Sequence, residues 1–292
     1  MRAVVFDRYG PPGVLRIADL PDPEPGPGEV LVKVRAAGVQ PFDVAVRTGR
    51  MPWVRATFPQ QIGQEYAGVV VGGDLPAGTP VLGSTMLNAT AEYLTVEAGN
   101  VVAKPEHLDF ATAAGLVAAS QTASGALLEL DVRPGDVLLV HAAAGSVGTI
   151  ATQLARRTGA TVVGTASEGN HEYLRELGAV PVPYGEGLIA AVHATGLKPT
   201  VALDAAGGEA IAQSVELGIA PDRVGTIVDD KVAAELGTRV VRAGRSPERL
   251  AEVIAVPGLR MPIRAYPWER VAEAHAAVES RHGRGKVVLT ID

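Results

Sequence analysis

The segment VLLVHAAAGSVGTIATQLARRTGATVVGT places an apolar run before an AxGxxG turn at Ala143, Gly145 and Gly148, then an amphipathic stretch, then a second apolar run. Small residues at these positions let the backbone turn tightly and approach a pyrophosphate, while a helix starting near Ser146 points free N–H groups and the positive end of its dipole at the anion. The pattern is that of a dinucleotide site, and its strand–turn–helix setting gives a short glycine motif its meaning. An Ala/Gly-rich helix start without a ligand is the bland alternative. About 20 residues beyond the glycines, an acidic side chain would hold the ribose hydroxyls of NAD. Ser167 stands there instead, a neutral hydroxyl that does not repel a 2′-phosphate, with Asn170, His171 and Tyr184 nearby as donors. Glu168, if turned inward, would admit NADH, and His171 also reads as an exposed helix residue.

Other chemistries have little to work with. The chain has no Cys, which removes thiolate nucleophiles, disulfides and Cys-based zinc sites. There is no GxSxG elbow, and His107, His141, His171, His193, His275 and His282 form no HExxH or other close pair. His141 ends the first apolar run and reads as a packing residue below the glycine turn. Arg156 and Arg157 read as a solvated helix face.

The elements that must position these residues follow from hydrophobic pattern. From about Thr122 onward, apolar runs at 137–140, 161–164, 201–204, 224–228 and 239–241 alternate with helical stretches at 147–157, 172–177 and after Gly208. This βαβ rhythm predicts a doubly wound parallel sheet of about six strands. The first third is different, with short β-rich runs at 30–34 and 68–71 broken by Gly and Pro clusters such as 21–28, as in a small irregular β domain. A helix near 268–278 and a strand at 286–291 close the chain and are expected to return to that domain. The 292 residues are 47% hydrophobic and carry a net charge of −6, which suits a large core and small-molecule partners and leaves no basic cluster for nucleic acid. With no basic-then-apolar leader and no apolar run of roughly 18 residues, a cytoplasmic protein without membrane association is expected.

Taken together, the segments MRAVVFDRYGPPGVLRI, PGPGEVLVKVRAAGVQPFD, GQEYAGVV, HAAAGSVG, GTASEGNHEYLRELGA, VPYGEG and RGKVVL resemble the zinc-free quinone oxidoreductases of the medium-chain dehydrogenase/reductase superfamily, related to zeta-crystallin and enoyl reductases. The resemblance implies an α/β chain with a GroES-like, partly open β-barrel domain at 1–118, completed by 258–292, and a Rossmann domain at 119–257 with the nicotinamide in the cleft between them. It also implies homodimers or homotetramers. Zinc-dependent relatives place a catalytic Cys in the segment equivalent to AAGVQPFD and a catalytic His where this chain has Gln64, so both ligands are missing.

Carried over by position, Gln40 falls beside the nicotinamide ribose and substrate, and Thr122 at the nicotinamide end, with a helix cap as its alternative. Ala144, Gly145, Ser146 and Val147 fall along the pyrophosphate, and Ser167 and Tyr184 at the adenosine 2′-phosphate, without the Lys or Arg that usually accompanies them. Lys286 falls near the cofactor, or else is a solubility device opening an edge strand. The Tyr that some enoyl-thioester reductases use should fall near 47–52, where the chain reads RTGRMP. Tyr66 and Tyr93 are substitutes for it that read better as core, and Asp43 reads as a helix cap. The resemblance thus implies hydride transfer from NADPH, with NADH as a second option, to a quinone or α,β-unsaturated carbonyl. The alternatives are a pathway-specific enoyl reductase of aromatic natural-product assembly and an NADP(H)-binding protein with little turnover. The segment VVVGGDLPAGTPVLG is shorter than in relatives, which would open the cleft to bulky molecules.

Overall fold

The computed structural model describes residues 1–281 and 283–292. In chain order, strands β1 (Arg2–Phe6), β2 (Leu15–Asp19) and β3 (Glu29–Val39) precede a short helix α1 (Pro41–Arg47). Strands β4 (Gln60–Gln61), β5 (Glu65–Gly73), β6 (Pro80–Ser84), β7 (Tyr93–Glu97) and β8 (Val101–Ala103) follow. In β3 the burial alternates, with Val30, Val32, Val34 and Ala36 inside, as a strand with one buried face requires. The short VVVGGDLPAGTPVLG segment is the β5–β6 hairpin, paired antiparallel from Glu65 opposite Ser84 to Val69 opposite Pro80.

Helix α2 (Phe110–Glu129) has no counterpart in the sequence reading. Its N-terminus is tied by Asp109, whose Oδ1 accepts the Thr112 amide at 2.8 Å. Ala113, Ala114, Val117, Ala119 and Ala123 are all buried, so its small residues face protein on several sides and no amphipathic stripe marks it.

The parallel sheet then runs β9 (Val137–His141), α3 (Ser146–Arg157), β10 (Thr161–Thr165), α4 (His171–Glu176), β11 (Val180–Val182), α5 (Leu188–Ala194), β12 (Val201–Asp204), α6 (Ala210–Glu216), β13 (Val224–Thr226), α7 (Asp230–Leu236) and β14 (Arg239–Val240). The strand order is β11-β10-β9-β12-β13-β14, all parallel, which is the doubly wound 3-2-1-4-5-6 arrangement. Leu138, Leu139, Val140 and Val201 to Leu203 are buried without alternation, as expected when helices cover both faces. Order reverses between β9 and β12, the switch point where such sheets bind ligands.

The tail contributes α8 (Pro247–Ile254), β15 (Ile263–Pro267), α9 (Val271–Glu279) and β16 (Lys286–Thr290). β15 and β16 join the sheet of order β15-β16-β3-β5-β6-β8, with β7 also paired to β3, and a separate sheet β2-β1-β4 accompanies it. The chain divides into one compact unit of 1–118, 246–256 and 261–292 and another of 119–245 and 257–260. Residues 246–256 thus group with the first unit, not with the Rossmann unit as the sequence reading has it. The physical reason is α8, which contacts β8 and buries Leu250, Val253 and Ile254. Among the described residues no helix is long and apolar enough to cross a membrane.

Leu139 lies at the centre of the parallel sheet, fully buried, whereas Leu128 on α2 is 68% exposed. Leu139→Ala should lower unfolding free energy in urea by about 2–5 kcal/mol through the cavity it leaves. Leu128→Ala should stay within about 0.5 kcal/mol of wild type.

Candidate functional site

The glycine turn is built by close approach of helix to strand. Ala142 adopts a left-handed φ of 56°, its amide bonds Thr165 Oγ1 at 3.1 Å, and the Ala143 amide bonds the Thr165 carbonyl at 3.0 Å. A Cβ at Gly148 would lie 2.5 Å from Ala143 Cα, so only glycine lets α3 begin this close to β9. Gly145 is the N-cap of α3, and Gly145, Ser146 and Val147 are only partly buried. The first amides of the helix have no intrahelical acceptor, so Ser146 and Val147 present donors to solvent at the positive dipole end, with buried Ala144 behind them. This cradle fits a pyrophosphate.

At the neighbouring strand ends, β10 and β11 run in parallel register with Thr165 opposite Val182, and the Ala166 amide bonds the Val182 carbonyl at 3.1 Å. Ser167 and Tyr184 therefore leave the sheet from adjacent ends, both exposed, Tyr184 at 61%. Asn170 Nδ2 donates to Ser167 Oγ at 3.0 Å. His171 Nε2–H donates to the Ala166 carbonyl at 3.2 Å and holds the ring against the end of β10. The structure thus brings Ser167, His171 and Tyr184 to one edge of the second unit.

Sequence reasoning missed how polar the switch point is. His141 and Asp204 end adjacent strands in register. Asp204 Oδ1 accepts the amides of Ala206 and Gly207 at 2.8 and 2.9 Å, and Oδ2 accepts Thr226 Oγ1 at 2.7 Å, which shapes the loop after β12. Gly207 and Gly208 take positive φ there. Ser214 Oγ donates to the Ala210 carbonyl, so His141 Nε2–H must donate to Ser214 Oγ, at 2.9 Å. Burial lowers the His141 pKa to about 4 against the opposing pull of Asp204, keeping the ring neutral.

In the first unit, Gln40 follows β3 and precedes α1, where Asp43 Oδ2 accepts its amide at 2.9 Å as a helix cap. Gln40 Nε2 donates to Gln64 Oε1 at 3.3 Å, and Gln64 Nε2 points at Met86 Sδ at 3.6 Å. Two amides bonded to each other therefore lie in the AAGVQPFD and GQE segments, the stretches in which the resemblance places the Cys and His of zinc-dependent relatives. Neither is a ligand that suits zinc, and no group of three or more His, Cys, Asp or Glu among the described residues could hold a metal. Tyr66 is fully buried, its hydroxyl has no hydrogen-bond partner among the described residues, and burial raises its pKa. Tyr93 lies on β7 opposite Lys33. The 47–52 segment instead provides Arg47, fully buried on Glu279.

Two sequence expectations need correction. Lys286 opens β16, which lies between β15 and β3 and is no edge strand. Its ammonium is buried and ion-paired with the fully buried Glu65, whose Oε2 accepts the Ala118 amide at 2.7 Å. A lysine anchored inside a sheet cannot act as a solubility device. Thr122 is not a cap, since it lies half-buried deep within α2. His282 lies outside the described residues.

Comparison with known proteins agrees with this architecture. Residues 26–119 match the alcohol dehydrogenase GroES-like domain, and residues 190–289 match the zinc-binding dehydrogenase domain. The NADPH-dependent alkenal/one oxidoreductase of Arabidopsis thaliana is 28% identical over 99% of this chain and 79% of its own length. A pikromycin polyketide synthase component of Streptomyces venezuelae is 35% identical over 92% of this chain, which spans only 8% of that protein. The quinone oxidoreductase of Coxiella burnetii superposes with a TM-score of 0.90 at 28% identity, covering 100% of this chain and 99% of that one. The fold and site define a two-unit, Rossmann-containing oxidoreductase. The chain belongs to the medium-chain dehydrogenase/reductase superfamily, on its zinc-free, quinone-oxidoreductase side.

Two measurements test the site. Gly148→Val should abolish dinucleotide binding in calorimetry, because the side chain would push the start of α3 off the turn. For pH, burial also lowers His275 to about 3, with the Arg47 charge adding to the effect. Both folded-state values lie below the ordinary value of 6.5, so unfolding takes up protons. Their contribution is complete above about pH 6.5 and is lost as pH falls towards about 4 and about 3. Each histidine should add up to about 1.4 kcal/mol per pH unit to the slope of urea stability in that window, and His275→Leu should remove one share.

Proposed function

We propose that this chain transfers hydride from NADPH to a quinone or another α,β-unsaturated carbonyl compound without a metal. The observation that carries the reading is the Gln40–Gln64 amide pair in place of a metal-ligand set. An alcohol–ketone exchange draws on a Lewis acid to polarise oxygen, whereas a conjugated acceptor spreads the incoming charge onto a carbonyl oxygen that a hydrogen-bond donor can stabilise.

Bound NADPH supplies the hydride. The chain's own residues do the rest. Ser146 and Val147 amides bind the pyrophosphate at the start of α3. Ser167 and Tyr184 offer hydroxyls to the adenosine end beside His171, with no carboxylate at position 167 to repel a 2′-phosphate, which leaves NADH as a weaker alternative. Thr122 orients the nicotinamide end. Gln40 gives one Nε2 hydrogen to Gln64 and has a second for the acceptor oxygen, and solvent completes protonation. Support also comes from relatives: the Arabidopsis protein is named for NADPH and alkenals or enones, and a mycobacterial structure, 28% identical with a TM-score of 0.86, was solved with NADPH.

The match to a polyketide synthase component favours a second reading, a pathway-specific enoyl reductase. The absence of a Tyr at 47–52 and the burial of Tyr66 weigh against acyl-thioester reduction that relies on a tyrosine donor.

The test is oxidation of NADPH and of NADH, in EDTA, against benzoquinone, phenanthrenequinone, a simple enone and crotonyl-CoA. Turnover of the quinones or the enone, with NADPH preferred, is the expected result. Turnover of crotonyl-CoA alone would favour the second reading, and tight NADPH binding with no turnover would leave a binding protein. Gln40→Ala should lower kcat roughly 10²-fold, as loss of an oxyanion donor does.

A further inference from the structure

We propose that the buried Glu65–Lys286 ion pair positions the Gln64 amide, and through it Gln40, for reduction, so that Glu65 and Lys286 are positioning residues and Lys286 is not a cofactor contact. This rests on the reading of Gln40 as the donor to the acceptor oxygen.

The pair is held by construction. Glu65 is fully buried, with one oxygen on the Lys286 ammonium and the other on the Ala118 amide at 2.7 Å. Gly38 stands opposite Glu65 in the β3–β5 register, and a Cβ there would overlap the carboxylate. Gly115 packs against the same lysine, and a Cβ there would lie 3.3 Å from Lys286 Cγ and 2.6 Å from Ile263 Cδ1. Two glycines thus leave room for a charge pair, a kind of buried contact whose desolvation cost largely offsets its attraction, so that it adds little net stability. What the pair adds is orientation.

That orientation bears on the amides through backbone geometry. Glu65 opens β5, and Gln64 is the residue before it, so pinning the Glu65 carboxylate at both oxygens fixes the chain at Gln64. The Gln64 carbonyl accepts the Thr85 amide at 2.9 Å, and its side chain bridges Gln40 and Met86. Gln40 lies two residues beyond Gly38, just past the end of the partner strand. At 3.3 Å the Gln40–Gln64 bond is long, so a small shift of either strand end breaks it.

The experiment compares wild type, the double variant Glu65→Gln/Lys286→Met and the single variant Lys286→Arg. The measurements are melting temperature, NADPH affinity by calorimetry, and kcat and KM for benzoquinone at saturating NADPH. Expected is a folded double variant with wild-type NADPH affinity and KM and a kcat lower by roughly 10- to 100-fold, the scale of a misplaced reacting group. Wild-type kcat in a folded double variant would show a purely structural pair and overturn the proposal. Weakened NADPH affinity with kcat retained at saturation would overturn it in favour of a cofactor contact. If the double variant does not fold, Lys286→Arg decides, since it keeps the charge but moves the donor: reduced kcat at unchanged NADPH affinity supports the proposal, and wild-type kcat ends it. An inactive wild type would show that the functional reading itself fails, and this outcome is visible before any variant is made.

Discussion

Much of the second unit depends on how closely the start of α3 can approach β9. Backbone donors bind an anion only if the helix begins against the strand that precedes it, and the space there is too small for a side chain at position 148. Once that approach is made, other features follow from it. Ala142 must take a left-handed turn, Thr165 on β10 must hold the turn with its hydroxyl and carbonyl, and Gly164 must leave room for the Ala143 methyl, 2.8 Å from where a Cβ would sit. A parallel sheet then places β12 beside β9 and opens the switch point that a dinucleotide uses.

The polar groups buried at that switch point serve the backbone. Asp204 spends its carboxylate on two loop amides and a threonine hydroxyl, and His141 spends its one N–H on Ser214. Each group is satisfied where desolvation would otherwise be costly. The loop after β12 is held by this network.

The first unit meets a different constraint. It has no Cys and no His at position 64, and there the Gln40 and Gln64 side-chain amides bond to each other. An amide is a weak electrostatic device, so its usefulness depends on accurate placement. Two strand ends and a capped helix start flank the amide pair, a buried ion pair adjoins it, and glycines at positions 38 and 115 make the ion pair fit.

Sequence by itself determined the doubly wound sheet, the glycine turn, a serine rather than an acidic residue at position 167 and the absence of any Cys. These are local features, carried by hydrophobic period, by residues few enough to be diagnostic, or by plain absence of a side-chain type. The extent of α2, the grouping of residues 246–256 and the partners of Gln64, Glu65 and Lys286 came only from tertiary structure. α2 is built from small residues buried on several sides, so it shows no stripe. α8 is amphipathic, but a stripe does not say which unit it packs on. Lys286 looks like any lysine at the start of a strand, and its meaning comes from a carboxylate 221 positions away in the chain, brought to it by strand pairing on either side of β3. No local pattern encodes a contact of that range, because its partners meet only after the sheet has closed.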